Sequence, residues 1–148
     1  MTVEPAEITW VWDAPAVDTQ GRPLTEPLTY EVDCNALRFQ TTEPRITLPV
    51  GKNTMQIVRV RANSGGGTWG AWSNPASFNM PEIKINAGTV SFIAVPPAFY
   101  KLLWRASLTT EGGWYTVWHG FGNGQEPIVH PLKGSAGFYK LTAEIIAA

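Results

Sequence analysis

The chain has 148 residues, enough for one domain or two small ones, with a net charge of −1 and a pI of about 6.1. That balance gives no electrostatic basis for binding nucleic acid or an anionic membrane. Hydrophobic residues make up 44% of the chain, which is typical of a globular protein and argues against disorder. Charged residues are only 16% whereas tryptophans number seven, and interface cores are likewise poor in charge and rich in aromatic rings.

Cys34 is the only cysteine, so a disulfide within the chain is impossible and scaffolds that depend on such bridges are excluded. A lone thiol in a strand pattern is typically a small, inert packing group. No apolar run approaches the ~18 residues of a membrane span. The start of the sequence lacks the basic residues and apolar stretch of a signal peptide. We therefore expect no membrane insertion and no export by that route.

Alternation of apolar and polar residues, bounded by glycine, proline, asparagine and aspartate, recurs along the chain, and no segment has a convincing helical period. The strands predicted before a proline-marked break at Pro81 are Ile8–Trp12, Thr29–Cys34, Leu37–Thr41, Arg45–Leu48, Met55–Ala62 and Pro75–Phe78. Those predicted after it are Gly88–Val95, Phe99–Leu108, Trp114–Phe121, Pro127–Leu132 and Phe138–Ile146. We therefore predict an all-β fold of two small β-sandwich domains in tandem, over residues 1–81 and 82–148. Each is near the lower size limit for a self-sufficient core, so we expect them to pack on each other or on a partner.

The strand predicted over Met55–Ala62 separates two kinds of side chain. One face, predicted to be core, carries Gln56, Val58, Val60 and Ala62. The other face carries Met55, Ile57, Arg59 and Arg61. Trp69 and Trp72, which follow in the adjoining segment, are placed to cover the two arginines. A guanidinium stacked on an indole contributes ~0.5–1 kcal/mol when exposed, so we predict that stacking of both arginines stiffens the SGGGTW loop.

The segments ITWVWDAP, LTYEVD and VRVRANSGGGTWGAWSNPASF together resemble a fibronectin type III domain, over about residues 6–80. The residues that match its core positions are Trp12, Tyr30, Val60 and Ala62. WGAWS, residues 69–73, is similar to the W-S-x-W-S box of cytokine-receptor fibronectin domains, with Gly70 in place of the first serine.

Two features depart from the fibronectin type III pattern. The family's corner tyrosine would fall at Gln56, so its tether is absent or replaced. Only seven residues precede Ile8, too few for the family's first strand beside the usual loop. A missing first strand implies an open edge beside the strand that contains Ile8, where another chain could pair.

The second half resembles small β-sandwich modules in which L-x-W, a tryptophan strand and a closing F-Y-[RK]-L occur in order. The matching residues are Trp104, Trp114, Phe138, Tyr139 and Leu141. Alternation places one set on a common face: Tyr100, Leu102, Trp104, Ala106 and Leu108. It does the same on the last strand for Tyr139, Leu141, Ala143 and Ile145. Such modules are usually appended to larger surface or virion proteins, so the chain as a whole resembles bacteriophage virion accessory proteins.

Residues for catalysis or metal binding are sparse. His119 and His130 are the only histidines and fall on separate predicted strands, without a second cysteine or a carboxylate–histidine cluster to support a zinc site. The acids are scattered singly, so nothing supports a glycosidase pair. The glycine-rich segments lack the strand-to-helix context and following lysine of a phosphate loop. We therefore expect no enzyme activity, no catalytic residue, no cofactor and no metal.

These features favour a non-enzymatic structural protein of a bacteriophage virion, a decoration, head or tail accessory subunit assembled in the host cytoplasm. Its expected partners are other virion proteins or further copies of itself in a homo-oligomer, held through edge pairing and aromatic burial. The candidate interaction surface comprises Arg59, Arg61, Trp69, Trp72, Trp114 and Trp118.

The alternative is a glycan-binding or host-attachment module, in which two or more exposed, coplanar indoles bind cell-surface sugar rings. Its platform would come from Trp69, Trp72, Trp114 or Trp118. A small accessory domain of a secreted enzyme ranks third, because the sequence shows no leader.

Overall fold

The computed structural model describes residues 2–15, 20–23, 27–50, 55–63, 69–86, 88–95, 98–106, 113–122, 124, 126–133 and 137–146. The regular structure in these ranges is β-strand throughout, with no helix, which confirms the predicted all-β class. The strands of the first half are β1 (Thr2–Val3), β2 (Ala6–Val11), β3 (Thr29–Cys34), β4 (Leu37–Thr41), β5 (Arg45–Val50), β6 (Met55–Asn63) and β7 (Ala76–Asn79). Those of the second half are β8 (Lys84–Asn86), β9 (Thr89–Phe92), β10 (Phe99–Arg105), β11 (Tyr115–Phe121), β12 (Ile128–Pro131) and β13 (Phe138–Ile146).

The strands form three sheets, an arrangement compatible with β-sandwich packing. A six-stranded sheet has the order β11-β10-β13-β2-β5, with β1 also paired to β13. A four-stranded sheet has the order β4-β3-β6-β7, and a three-stranded sheet the order β12-β9-β8. The predicted open edge at Ile8 is wrong, because β2 lies between β13 and β5. The neighbour of β2 on one side is β13, which is distant from it in sequence.

The residues fall into two compact units. The larger contains Met1–Thr9, Thr47–Thr54 and Asn79–Ile145, and the smaller contains Trp10–Ile46, Met55–Phe78 and Ile146–Ala148. The division runs through β2 and β5, so each unit is assembled from separate stretches of the chain. This division does not test whether residues 1–81 and 82–148 fold as separate domains, so the predicted boundary after residue 81 stays a prediction.

Aromatic and β-branched side chains fill the core of the smaller unit. Its buried members include Trp10, Trp12, Tyr30, Val32, Val58 and Phe78. The rings of Trp12 and Tyr30 meet edge to face, with centroids 5.3 Å apart. Such a pair is worth ~0.5–1.5 kcal/mol beyond its buried area.

Gln56 is buried on the predicted core face of β6. Its Oε1 accepts hydrogen bonds from Cys34 Sγ at 3.4 Å and from Asn35 Nδ2 at 3.4 Å. Burial, with a smaller contribution from the neighbouring Asp33 carboxylate, raises the pKa of the Cys34 thiol. Cys34 is therefore a protonated packing group that links β3 to β6, as the sequence predicted for a lone thiol in a strand.

A two-residue turn, Asn35–Ala36, joins β3 to β4, and both residues have positive φ, at 51° and 70°. Two positive φ values define the hairpin turn that Asn-Gly forms best. Asn35 suits the site, since its Oδ1 accepts a hydrogen bond from the Ile57 amide at 2.9 Å and its Nδ2 donates to Met55 O at 3.2 Å. Ala36 carries a Cβ that disfavours this conformation.

We expect Ala36→Gly to raise the free energy of unfolding by about 1 kcal/mol, because glycine adopts the left-handed conformation without the steric cost. Chemical denaturation of both proteins measures the difference. Asn35→Gly is the contrasting variant, because it also relieves positive φ but deletes the side-chain bonds to β6; we expect it to destabilise. A loss of stability in Ala36→Gly would contradict this description of the turn.

The core of the larger unit follows the alternation predicted from sequence. Buried residues on β13 are Tyr139, Leu141, Ala143 and Ile145, which confirms the predicted face. On β10, Tyr100 and Leu102 are buried and Trp104 is half-buried. The prediction for Ala106 is wrong, because β10 ends before it and it is exposed, and Leu108 lies outside the described residues. Tyr100 also ties down the segment after β9, because its hydroxyl donates to Val95 O at 2.9 Å and accepts from Val95 N at 3.1 Å.

Burial raises the pKa of Tyr100 to about 12 although the Val95 backbone bond opposes the shift. The folded protein therefore holds this proton more tightly than the unfolded chain, and stability falls as the pH rises from 10 towards 12. At pH 11 we expect the ionisation of this group alone to lower the free energy of unfolding by about 1.4 kcal/mol. Urea denaturation at pH 8 and pH 11 should show a smaller alkaline loss in Tyr100→Phe than in the native chain. Equal losses in the two proteins would contradict the assignment.

Candidate functional site

The outward face of the four-stranded sheet carries a row of charged side chains at matched positions. Asp33 on β3 lies in register with Arg38 on β4 and with Arg59 on β6. Glu31 lies in register with Arg61 on β6. Opposite charges that face each other across strands stabilise a sheet by ~0.2–1 kcal/mol per pair. Alternation along three strands therefore assembles an acid–arginine network.

Each of the two carboxylates contacts two guanidiniums. Glu31 Oε1 accepts from Arg61 Nη2 at 2.7 Å and Nε at 3.0 Å, and from Arg38 Nη1 at 3.0 Å. Asp33 Oδ2 lies 3.2 Å from Arg59 Nη2 and 3.6 Å from Arg38 Nε. Asp33 Oδ1 accepts from the Ala36 amide at 3.0 Å, which joins the network to the hairpin turn. Arg38 thus connects both carboxylates.

Two tryptophans lie against this network. The Trp72 ring centroid is 4.4 Å from Arg61 Cζ, 4.5 Å from Arg59 Cζ and 5.0 Å from Arg38 Cζ. The Trp69 centroid is 5.0 Å from Arg61 Cζ. The predicted stacking of Trp69 and Trp72 on the arginine face of β6 is confirmed. We call the seven side chains the arginine–tryptophan ladder: Glu31, Asp33, Arg38, Arg59, Arg61, Trp69 and Trp72.

Backbone pairing with β6 holds the tryptophan segment in place. Gly70 N donates to Ala62 O at 2.9 Å, and Ser73 N donates to Val60 O at 2.8 Å. Ser73 Oγ accepts from Val60 N at 3.0 Å. The serine in WGAWS therefore pairs with both backbone groups of one β6 residue, while the intervening residues place the indoles over the arginines.

The ladder combines an ordered framework with charged groups that reach solvent. The side chains of Glu31 and Asp33 are 13% and 12% exposed, whereas those of Arg38 and Arg59 are 51% and 41% exposed. Three arginines against two carboxylates leave one formal positive charge. Beyond the ladder, Met55 and Ile57 continue the same face of β6 and are 50% and 49% exposed. Arginine, tryptophan and methionine are the residue types enriched at protein interfaces.

Sequence reasoning missed three members of the ladder. The sequence alone does not place Glu31, Asp33 and Arg38 in the ladder, although alternation in the predicted strands Thr29–Cys34 and Leu37–Thr41 gives each a defined face. Register, which the sequence did not provide, decides that they meet Arg59 and Arg61.

The other two predicted surface residues, Trp114 and Trp118, lie in the larger unit and have different neighbours. Lys140 Nζ is 4.8 Å from the Trp114 centroid and also bonds Glu7 Oε1 at 3.2 Å. Trp118 instead meets Phe92 edge to face, with centroids 5.6 Å apart.

Within the part of the chain that the structure describes, no group of three or more histidine, cysteine, aspartate or glutamate residues could hold a metal ion. His119 is exposed on β11, with its ring 5.9 Å from that of Phe99. In the same ranges there is no helix with the length and apolar character needed to cross a bilayer.

Comparisons with known proteins find no family model that matches the chain and no curated protein similar enough to count as a relative.

Proposed function

We propose that this chain is a non-enzymatic structural protein of a bacteriophage particle, a decoration, head or tail accessory subunit that acts through protein–protein contacts. The observation that carries the proposal is the arginine–tryptophan ladder. Its side chains are held in place by ion pairs and ring contacts and are partly exposed. Tryptophan and arginine are residue types that often contribute most of the binding energy at protein interfaces. The low charged fraction of the chain, 16%, agrees with a molecule that covers part of its surface in an assembly.

The proposal includes a fibronectin type III-like first domain over residues 1–81. Immunoglobulin-like sandwiches place strand C beside strand F, and F beside G, in one sheet. The order β4-β3-β6-β7 has this pattern when β3, β6 and β7 take the positions of C, F and G. The WGAWS segment then follows the F strand, as in the family motif. The second β-sandwich of the proposal covers residues 82–148.

The ladder supports binding in a specific way. Each arginine is held by a carboxylate and an indole, so little side-chain freedom remains to be lost when a partner docks. Met55 and Ile57 add apolar area on the same face, which a partner would remove from water. We infer that other virion proteins, rather than a free small molecule, bind this face.

The same geometry gives less support to the glycan-binding alternative. A sugar platform needs free, coplanar indole faces, whereas cations lie over the rings of Trp69, Trp72 and Trp114. Trp118 is packed on Phe92. Glycan-array binding that is lost in Trp72→Ala but retained in Ile57→Asp would favour this alternative.

Quantitative mass spectrometry of gradient-purified particles tests the proposal. We expect the chain at a fixed copy number relative to the main shell or tube protein. Ile57→Asp, which removes exposed apolar area from the ladder face, should lower incorporation without unfolding the protein. Val129→Asp, at a 53% exposed position in the larger unit, is the matched control and should incorporate normally. Recovery of the native chain only in the soluble fraction would overturn the proposal.

A further inference from the structure

The outermost strand of the four-stranded sheet, β4, presents an exposed edge. In the part of the chain that the structure describes, it stands at one end of the order β4-β3-β6-β7, with β3 as its strand neighbour. Leu37 is 65% exposed, the Arg38 side chain is 51% exposed, and Gln40 is exposed as well. Backbone N–H and C=O groups along an exposed edge form a template on which another strand can pair. β4 is therefore a candidate pairing surface.

Edge strands in natural proteins are usually protected against such pairing by proline, by a bulge or by shortness. Among the described strands, each of the other sheet ends has one of these features. Pro49 lies in β5 and Pro131 in β12, and the register of β11 with β10 shifts between Leu102 and Leu103. β8 and β7 have three and four residues. β4 has five residues, contains no proline and keeps an unbroken register with β3, so it is the edge best suited to pairing.

The backbone of β4 alternates between groups that face β3 and groups that face the exposed edge. The Asn35 amide donates to a carbonyl of β6, so the backbone groups of Cys34, one residue earlier, face β4. Cys34 is in register with Leu37, whose backbone groups therefore face β3. Alternation then directs the N–H and C=O groups of Arg38 and Gln40 towards the exposed edge.

Two copies of β4 complement each other when they pair antiparallel about a two-fold axis at Phe39. Arg38 then lies opposite Gln40 of the second copy, Leu37 lies opposite its Thr41, and the two Phe39 residues form an aromatic pair, which stabilises a sheet. An axis at Arg38 would set two guanidiniums directly opposite each other, which is destabilising. An axis at Gln40 would leave only residues 39–41 overlapping. The register centred on Phe39 therefore pairs the whole strand without opposing like charges.

We propose that two copies of this chain pair through β4, antiparallel and with Phe39 on the two-fold axis, so that their four-stranded sheets become one continuous sheet. The backbone groups of Arg38 exchange hydrogen bonds with those of Gln40 in the second copy. The Arg38 guanidinium keeps its contacts with Glu31 and Asp33, and the two ladders lie on the same face of the joined sheet. This inference rests on the proposed function and names a second copy of the chain as the partner of the sheet that carries the ladder.

Sedimentation of the full-length native chain over a range of concentrations tests the pairing. We expect a monomer–dimer equilibrium that grows no further, because a two-fold contact is closed. Gln40→Pro removes an N–H that faces the exposed edge and leaves the hydrogen bonds between β4 and β3 in place. The dissociation constant of the dimer should therefore rise at least about tenfold in this variant.

Gln40→Lys tests the same register by charge. Within one chain Gln40 is in register with Glu31, so a lysine there should not weaken the sheet itself. In the dimer the lysine would lie opposite Arg38 of the second copy, and we expect the dissociation constant to rise at least about tenfold. Val129→Lys, at a 53% exposed position on the edge strand β12, is the matched control and should dimerise like the native chain. Thermal melts of all variants identify any that fail to fold.

Disulfide cross-linking under mild oxidation tests the register directly. The two Phe39 residues would form a non-hydrogen-bonded pair with Cα atoms ~4.5 Å apart, within the range for a disulfide, so Phe39→Cys should give a covalent dimer. The two Thr41 residues would lie four positions apart along the strands, roughly 13 Å, so Thr41→Cys should not cross-link. The native chain, whose Cys34 is buried, gives the background level.

A native chain that stays monomeric at its solubility limit would overturn the inference, as would undiminished dimerisation of a folded Gln40→Pro variant. Cross-linking of Thr41→Cys in place of Phe39→Cys would overturn it as well. A monomer that still enters particles at a fixed copy number would refute the pairing and leave the proposed function standing. Dimers that pair through β4 but never enter particles would support the pairing and refute the proposed function.

Discussion

Replacing Trp72 by alanine is expected to lower the free energy of unfolding by about 3 kcal/mol, because one substitution removes an aromatic side chain that packs on three guanidiniums. Arg38, Arg59 and Arg61 would lose their common ring, and β4 and β6 would lose the cross-links that pass through it. Urea denaturation of the native chain and the variant measures the effect.

Trp69→Ala is the matched control for Trp72. Trp69 has one guanidinium over its ring, that of Arg61, so we expect a loss of about 1 kcal/mol. The loss of stability in Trp72→Phe should lie between those of the two alanine variants, because phenylalanine keeps a smaller ring at the central position. Equal losses in the two alanine variants would show that stacking does not set the stability of this face.

Gly122→Ala is expected to lower the free energy of unfolding by about 3 kcal/mol, because the structure has no space for the added methyl group. A Cβ built at Gly122 overlaps the carbonyl oxygen and the Cβ of Ala94, and backbone cannot move aside as a flexible side chain can. The neighbouring Gly124 amide donates to the same carbonyl at 2.9 Å, which fixes that oxygen further. The variant should lower the midpoint of urea denaturation.

Gly70→Ala provides the comparison for Gly122→Ala. A Cβ at Gly70 would lie 3.4 Å from Ala62 O, which is an ordinary contact, so we expect a change within ~0.5 kcal/mol. If the two alanine variants were equally stable, the close approach at Gly122 would not hold in solution.

Most strands could be predicted because each leaves a local signal. Alternation identified the long strands at Thr29–Cys34, Met55–Ala62 and Phe138–Ile146 within a residue of their observed ends. The short strands β1 and β8 were missed, since two or three residues show no period. Strand pairing was not predictable in this way: β2 lies beside β13 although about 130 residues separate them, and no local pattern encodes such a neighbour.

Only the part of the ladder that leaves a local sequence pattern could be predicted. The alternation of Arg59 and Arg61, followed by two tryptophans three residues apart, predicted the stacking. The carboxylates depend on the registry of β3 with β6, and Arg38 depends on that of β4 with β3. The sequence also grouped Trp114 and Trp118 with the ladder by residue type alone, whereas their different contacts follow from sheet order.

The proposed mechanism is passive. The ladder neutralises its own carboxylates with arginines, and the resulting surface offers stacking, hydrogen bonding and one excess positive charge. Several such contacts on one subunit reinforce each other in an assembled particle, because each further contact is formed at high effective concentration.

Electron cryomicroscopy of purified particles, with the number of neighbouring chains counted around each copy, tests the central claim most directly. We predict that each copy occupies a symmetric ring or lattice and buries the ladder face against a neighbouring protein. Particles that lack the chain, while the protein persists as an isolated monomer in the lysate, would contradict a structural role in the virion.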